Sequence, residues 1–407
     1  MTYGLYSVWE CWWLAPLALL LDLCLGDPKL PWPHPVCLAG RLLARLEGPA
    51  RHWMERGGAE RRPWRGRLAG LCALLVLVCC TGLAVWLLIG LPLIGPLLAV
   101  YLAWAGLALG SLLGTGREVL RRVESRPVPD AREAVSWLVS RDTSRMDRPL
   151  LRKTLADTLS ENLTDALLAP FFWLLLAGPV GLWCYKAVST TDSMWGYMTE
   201  KWRWLGWAGA RGDDLLAFVP ARFSVVALWF TDRCFRSGLF FVRAAARFRP
   251  GADKKRYQAM NSAQSAFGQP PRDEVQSPAG RAGGFHPLRQ CRSQVQKVLT
   301  GNGAALPWDG LWPGFGVIAR QAAGMPSPNS GWPMTACAWL CRARMAGPSV
   351  YFGALTPKPW LGPPESEAAP WDAARLLALC ALLRYSALCG ALLLWLGCLA
   401  LCFFSLS

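Results

Sequence analysis

Three carboxylates, Asp157, Glu161 and Asp165, recur at every fourth residue between Thr154 and Pro170. On a helix this spacing puts them on one face, with Asn162 beside them. Like charges four residues apart cost an isolated helix a few tenths of a kcal/mol, roughly, per pair. The arrangement therefore gains only if a cation or a basic substrate group neutralises it, as when carboxylates and phosphate oxygens hold Mg²⁺. A solvated acidic face is the alternative. A second constellation is Thr190-Thr191-Asp192-Ser193-Met194, preceded by Lys186 and Ser189. Small hydroxyls around an acid suit phosphate and metal, but the same residues also make ordinary caps and turns. Arg211, Asp213 and Asp214 form a third group, just before an apolar run, Leu215 to Phe230, that contains Arg222. An ionisable side chain at membrane depth is a functional candidate by default. The fourth is the rigid polar stretch Ser327-Pro328-Asn329-Ser330-Gly331-Trp332-Pro333, with Tyr351-Phe352-Gly353 downstream. His34 is held between Pro33 and Pro35, whereas His52 and His286 look incidental.

These groups must be positioned by membrane helices. Of the 407 residues 53% are hydrophobic and 17% charged, against about 25% charged in an average soluble domain. No charge occurs in the 49 residues from Leu68 to Gly116 or in the 23 from Tyr385 to Ser407. A spanning helix needs about 20 residues, so the first run holds two spans, broken near Gly90, Pro92, Gly95 and Pro96. The opening apolar segment, Trp12 to Gly26, lacks a basic leader and a small-residue cleavage site, and reads as uncleaved. It carries Asp22, which is costly there unless paired or facing a cavity. A further run, Ala166 to Tyr185, is interrupted by Pro170 and Gly178-Pro179. If it crossed the membrane it would separate Glu161 and Asp165 from Asp192 and Asp213. The breaks instead predict a re-entrant or protein-buried hairpin, since irregular backbone is tolerated at membrane depth when protein covers it.

The net charge of +16 belongs to the loops. Residues 41–67 carry a net +5 and residues 117–153 a net +4. Both flank the Leu68 to Gly116 hairpin, so the positive-inside rule makes their side cytoplasmic. Nucleic acid is excluded as a partner, because no stacking motif or zinc knuckle accompanies the charge. Most of the 15 Cys lie in or beside apolar segments and act as small hydrophobes. Residues 233–299 carry a net +10 amid Gln, Ser, Gly and Pro, the composition of a partly disordered cytoplasmic insertion. The fold class is all-α, a multi-pass integral membrane protein with polar, motif-bearing loops. It divides into a membrane and catalytic core, 1–232, with spans near 11–26, 68–90 and 92–114 and apolar segments 166–185 and 215–230. A basic insertion, 233–310, a second part of the core, 311–362, and a linker with a terminal transmembrane helix, 363–407, follow.

The motifs together resemble the cobalamin biosynthesis CobD/CbiB family, the adenosylcobinamide-phosphate synthases. The resemblance rests on Asp22 through Gly26-Asp27-Pro28, Pro33-His34-Pro35-Val36 and Gly40-Arg41. Ser140-Arg141-Asp142-Thr143, Glu161-Asn162 with Asp165, and Ala169-Pro170 continue it. It runs on through Tyr185-Lys186-Ala187, Thr190, Asp192-Ser193-Met194, Gly196-Tyr197, Ala210-Arg211, Asp213-Asp214 and Pro220-Ala221-Arg222. Ser327 to Trp332, Gly347-Pro348 and Tyr351-Phe352-Gly353 complete it, over about residues 18–362. The family usually has Asn where this chain has Ser189 and an acid where it has Met334, and the basic insertion lengthens a shorter connection.

The resemblance implies ATP-dependent amide bond formation between adenosylcobyric acid and aminopropanol or its phosphate, with Mg²⁺, at the cytoplasmic face of the inner membrane. It also allows contact with other corrin-pathway membrane enzymes. A carboxylate must be activated, most simply as an acyl phosphate, and phosphoryl transfer needs a metal clamp and fixed positive charge. On this reading the catalytic residues are Asp142, Glu161, Asn162, Asp165, Asp192, Ser193 and Arg222. Asp27, His34, Lys186, Arg211, Asn329, Ser330 and Tyr351 bind substrate, and Glu161, Asp165, Asp213 and Asp214 hold metal. Lys186, Arg211 and Arg222 would stabilise phosphate, and Asp192 or His34 would take the amine proton. A corrinoid transporter or membrane scaffold is the competing reading, but a transporter places its key residues on broken helices at mid-membrane.

Overall fold

A computed structural model of the protein describes residues 6–28, 31–55, 63–247, 308–351 and 354–406. Its elements are helices, apart from two small antiparallel ribbons. The first helices are α1 (Leu14–Leu25), α2 (Pro35–Glu55), α3 (Pro63–Ile89), α4 (Gly95–Ala105), α5 (Leu109–Ser125) and α6 (Val128–Ser136). Then come α7 (Arg148–Leu163), a π-helical turn (Thr164–Leu168), α8 (Ala169–Trp195), α9 (Trp207–Leu216) and α10 (Phe218–Arg247). The last are α11 (Phe315–Ala322), α12 (Gly331–Leu340) and α13 (Ala373–Leu406). Strand β1 (Met345–Ala346) pairs with β4 (Trp360–Leu361), and β2 (Ser349–Tyr351) pairs with β3 (Ala354–Thr356).

Four helical runs among the described residues are long and apolar enough to cross a membrane: Pro63–Ile89, Gly95–Ser125, Arg148–Trp195 and Ala373–Phe404. A fifth results if Trp207–Leu216 and Phe218–Gly238, bent by 42°, count as one. The break between α3 and α4 falls at the Gly and Pro residues expected. Helix α1 is shorter than the span expected near 11–26: its 12 residues reach about 18 Å, against about 30 Å of hydrocarbon. Its Asp22 is fully buried, and Oδ2 accepts the Gly110 N–H at 2.9 Å. The carboxylate thus serves an open donor in the first turn of α5, where the helix dipole also favours negative charge.

The Arg148–Trp195 run is not one rod. On a straight helix Asp165 and Tyr185 would stand about 30 Å apart. Instead the Tyr185 hydroxyl lies 3.3 Å from Asp165 Oδ1, and Lys186 Nζ lies 3.2 Å from the Asp165 carbonyl. The chain doubles back at Ala177 (φ −135°, ψ 22°) and Gly178 (φ 58°, ψ −159°). Gly178 takes a left-handed conformation that a Cβ would oppose, and Pro179 lacks the N–H that would bridge the break. Near the tip the Leu175 carbonyl is taken up by the Val8 N–H at 2.8 Å. The hairpin predicted from Pro170 and Gly178-Pro179 is therefore present.

Three polar clamps fix the remaining parts. Asp157, fully buried, accepts from Arg141 (2.8 Å), Lys153 (3.0 Å) and the Ala346 N–H (3.0 Å), joining α7 to the ribbons. Asp232, also buried, accepts from Arg236 and from Trp308 Nε1 (2.9 Å), and Arg236 donates to the Gly310 carbonyl (2.7 Å). This clasp closes the base of the insertion: residues 233–247 continue α10, and Trp308 is buried in the core. The rest of the expected insertion, 248–307, lies outside the described residues. Arg222 donates to Asn329 Oδ1 (2.8 Å), while Asn329 Nδ2 donates to the Asp214 carbonyl (2.8 Å), tying α10, α9 and the loop before α12 together.

Candidate active site

The hairpin brings together side chains far apart in sequence. Asp165 lies in the first residues of the π-helical turn, a distortion often found at functional sites, and it faces Tyr185 and Lys186 on the returning arm. Lys186 lies in electrostatic range of Asp165, Asp213, Asp27 and Asp22. Asp213 in turn neighbours Asp165, Asp192, Asp214 and the Ser189 hydroxyl. Helix α9 reaches this position because Gly209 lies on α8: a Cβ there would sit 2.7 Å from Thr191 Cγ2. Four acids around one lysine form a strongly electronegative centre.

That centre opens into a cleft of about 740 Å³ whose floor holds Asp192, Asp213 and Asp214. Its wall is basic and aromatic. Arg67 lies 5.2 Å and 5.3 Å from the ring centroids of Trp204 and Trp207, and Arg203 lies 4.4 Å from Trp204. Trp195 and Trp202 stack at 5.5 Å, and Ser327 lines the same cleft. Arg211 pairs with Asp214 at 3.5 Å on the rim. Acid beneath and arginine beside is an arrangement for a ligand carrying both anionic groups and a counter-cation.

Glu161 faces another way. It lies in range of Lys358, Arg141, Asp165 and Asp157, and Lys358 Nζ donates to the Tyr351 hydroxyl at 2.8 Å. The three acids of the expected helical face thus divide. Asp157 is neutralised inside the fold by two cations, Glu161 borders a basic group beneath the ribbons, and Asp165, turned by the π-helical segment, joins the cleft centre. Asp157 is neither a solvated acid nor an open ligand.

The other expected residues scatter. Asp142 is exposed and caps its own turn, with Oδ1 2.8 Å from the Ser144 N–H; the Ser144 hydroxyl and N–H hold its carboxyl below the usual carboxylate range. Asn162 donates to the Thr158 carbonyl (2.9 Å) and Ser193 to the Ser189 carbonyl (2.9 Å), both one turn back on their own helices. Arg222 and Asn329 are engaged with each other, Ser330 follows in the same turn, and Asp27 is exposed beside the Asp22 end of the acidic chain. His34 Nδ1 accepts the Val36 N–H (3.3 Å) and its ring stands 6.3 Å from Trp183; burial pushes the imidazole below its ordinary value. Phe352 and Gly353 lie outside the described residues. Sequence reasoning missed the roles of Tyr185, Arg141, Lys153 and Lys358, and it read Arg67 only as a flanking charge. The alternation Trp202-Arg203-Trp204 with Trp207 was the available sign of the cleft wall.

The donor set of the centre is all oxygen, which suits a hard divalent cation, and Asp213 Oδ1 is buried without a hydrogen-bond partner among the described residues. Asp165, Asp192 and Asp213 therefore fit the expected Mg²⁺ in kind. Among the described residues no three His, Cys, Asp or Glu side chains converge on a single point as they stand. Of the expected metal set, Glu161 lies toward Lys358 and Asp214 is held at the rim by Arg211.

The sequence model of the CobD/Cbib protein family matches residues 15–380, nine-tenths of the chain and all of the site just described. The chain belongs to the CobD/CbiB family. A relative from Rhodobacter capsulatus, named cobalamin biosynthesis protein CobD, is 30% identical over 367 residues, 89% of this chain and 90% of its own. Proteins of the same name from Pelobacter propionicus and Stutzerimonas stutzeri are 39% identical over 218 residues and 40% over 209. These matches cover 52% and 51% of this chain, and 64% and 66% of the relatives. No solved structure matches. The CobD/CbiB match spans the doubled-back helix, the acidic centre and the cleft wall.

Proposed function

We propose that this protein forms the amide bond between adenosylcobyric acid and aminopropanol or aminopropanol phosphate, at the expense of ATP, in cobalamin biosynthesis. Family membership and the relatives' name support the pathway. The observation that favours this reaction is the cleft, with Asp192, Asp213 and Asp214 below and Arg67, Arg203 and the tryptophans beside.

The substrate carboxylate oxygen attacks the γ-phosphorus of ATP, ADP leaves, and the amine nitrogen attacks the resulting acyl phosphate with release of inorganic phosphate. Arg67 and Arg203 would hold the phosphates as paired donors, and the tryptophan faces give the corrin an apolar platform. Asp165, Asp192 and Asp213 would hold Mg²⁺, which supplies charge neutralisation at the phosphates. Lys186, bonded to the Asp165 carbonyl, would bring positive charge beside Asp165 and Asp213. Of the two acceptors expected for the amine proton, His34 does not line the cleft and Asp192 would be held on the metal, so Asp214, which lines the cleft outside that set, is the better acceptor. The protein would sit in the inner membrane with the cleft toward the cytoplasm, where ATP and the corrin intermediates are, and within reach of other corrin-pathway enzymes.

The test is direct. Purified protein in lipid nanodiscs receives adenosylcobyric acid, ATP, Mg²⁺, and aminopropanol with or without its phosphate, and products are read by mass spectrometry. Adenosylcobinamide or its phosphate, formed one for one with ADP, is the expected result. Corrinoid movement across vesicles with no new amide and no ADP would replace this reading with the transporter.

A further inference from the structure

Helices α2 and α3 run antiparallel and leave between them an apolar groove of about 360 Å³, lined by Leu46, Pro49 and Trp53 on one side and Leu68, Cys72 and Val76 on the other. The groove belongs to the 27-residue apolar helix α3, and it lies apart from the acidic cleft. Its end at Trp53 is closed by a cation set beside two indoles. The Arg65 guanidinium lies 6.0 Å from the Trp53 ring centroid and 5.5 Å from that of Trp64, and the two rings meet edge to face at 6.4 Å. Arg65 Nε is buried without a hydrogen-bond partner among the described residues. No carboxylate among the described residues pairs with this arginine. Trp53 and Trp64 remain 40% and 53% exposed, as in the aromatic belts that sit at headgroup level.

We infer that this groove binds one anionic phospholipid, its phosphate on Arg65 beside Trp53 and Trp64 and one acyl chain between α2 and α3. The apolar slot matches a chain, the arginine, unpaired among the described residues, matches a phosphodiester, and the indoles mark the depth at which the two meet. Arginine flanked by aromatic faces is partly desolvated, which strengthens its hold on an anion. A zwitterionic lipid brings its own ammonium group to the same place and loses part of that attraction. The site stands independently of the proposed reaction.

Purified full-length protein in detergent is offered equal amounts of phosphatidylglycerol and phosphatidylcholine, and retained lipid is counted by native mass spectrometry. The wild type should keep phosphatidylglycerol over phosphatidylcholine by about fivefold, the weight of one basic residue at an anionic surface. Arg65→Gln should bring the ratio close to one, while Arg65→Lys keeps most of the preference and Arg122→Gln, an exposed change on α5, keeps all of it. Cys72→Trp, which fills the slot, should lower retention of both lipids. An unchanged ratio in Arg65→Gln, or displacement of the phospholipid by excess inorganic phosphate, would overturn the assignment.

Discussion

Replacing Asp157 by Asn tests the buried clamp that joins α7 to the ribbons. The Asp157 side chain is 0% exposed, and its partners Arg141 and Lys153 are 7% and 10% exposed. Asn keeps the volume and can still accept from the Ala346 N–H, so no cavity forms and one hydrogen bond survives. What is lost is the charge that compensates two enclosed cations. Breaking a buried pair from one side costs about 3–5 kcal/mol. Some of this is offset because Arg141 also faces the Tyr351 ring at 5.9 Å and Lys153 the Trp360 ring at 5.1 Å, contacts worth about 0.5–2 kcal/mol each. The expected destabilisation is therefore about 3 kcal/mol, the lower end of the range. Denaturant titration in detergent micelles, followed by tryptophan fluorescence, would read it as a lower midpoint. The companion variant Arg141→Met/Lys153→Met/Asp157→Leu removes all three charges and should recover most of the loss, since apolar replacement of buried ions is often neutral or favourable. An Asp157→Asn midpoint within about 0.5 kcal/mol of wild type, the range of ordinary surface changes, would refute the reasoning.

Asp165→Asn should lower turnover by at least about a hundredfold, the scale of one lost electrostatic contact to the transition state, with the unfolding midpoint little changed; near-normal turnover returns it to a structural role. Arg203→Ala, on the cleft wall, should raise the KM for ATP about tenfold with a smaller change in kcat, the pattern of lost uniform binding. His34 is pushed below its unfolded value of about 6.5, so the unfolded chain takes up the proton first. Its contribution to stability is complete above about pH 6.5 and is lost as pH falls through the folded value; His34→Asn should flatten that part of the midpoint-versus-pH curve between about pH 7.5 and 5.5. Deleting residues 251–303 should leave activity intact, because the Asp232, Arg236 and Trp308 clasp lies outside the deletion, whereas Asp232→Asn should lower the midpoint by about 1–3 kcal/mol through its unpaired partners.

Much of the architecture was legible in hydropathy and in the positions of Gly and Pro. The α3–α4 break follows Gly90 to Pro96, and the doubling back of α8 follows Gly178-Pro179, because backbone constraints of this kind are local. The division of Asp157, Glu161 and Asp165 was not legible. An i, i+4 pattern presumes α-helical phase, and the π-helical turn at Thr164–Leu168 changes that phase just where Asp165 stands. Asp157 meets Arg141 and Ala346 across 16 and 189 residues of sequence, and no periodicity carries such pairings. Arg222 was expected to act on substrate because it interrupts an apolar run; its partner Asn329 lies 107 residues away, so its clamping role appears only in three dimensions. The cleft wall had a local sign in the Trp and Arg alternation, but charge beside a span has a simpler explanation and hid it.

Asp22 accepts its hydrogen bond from a residue 88 positions later in the chain. At about 5–20 residues per second, the ribosome needs roughly 4 to 18 seconds to make what separates them. Throughout that interval α1 is a finished apolar helix carrying an acid whose native donor does not yet exist. The insertion machinery must shelter it, or the group must wait near water. Once Gly110 emerges, one bond both serves the start of α5 and relieves α1, so the seat of the first helix is complete only after the fifth begins. Order of synthesis is thereby written into the fold: a chain that loses Leu109 to Ser125 leaves α1 with an acid whose native donor is never made.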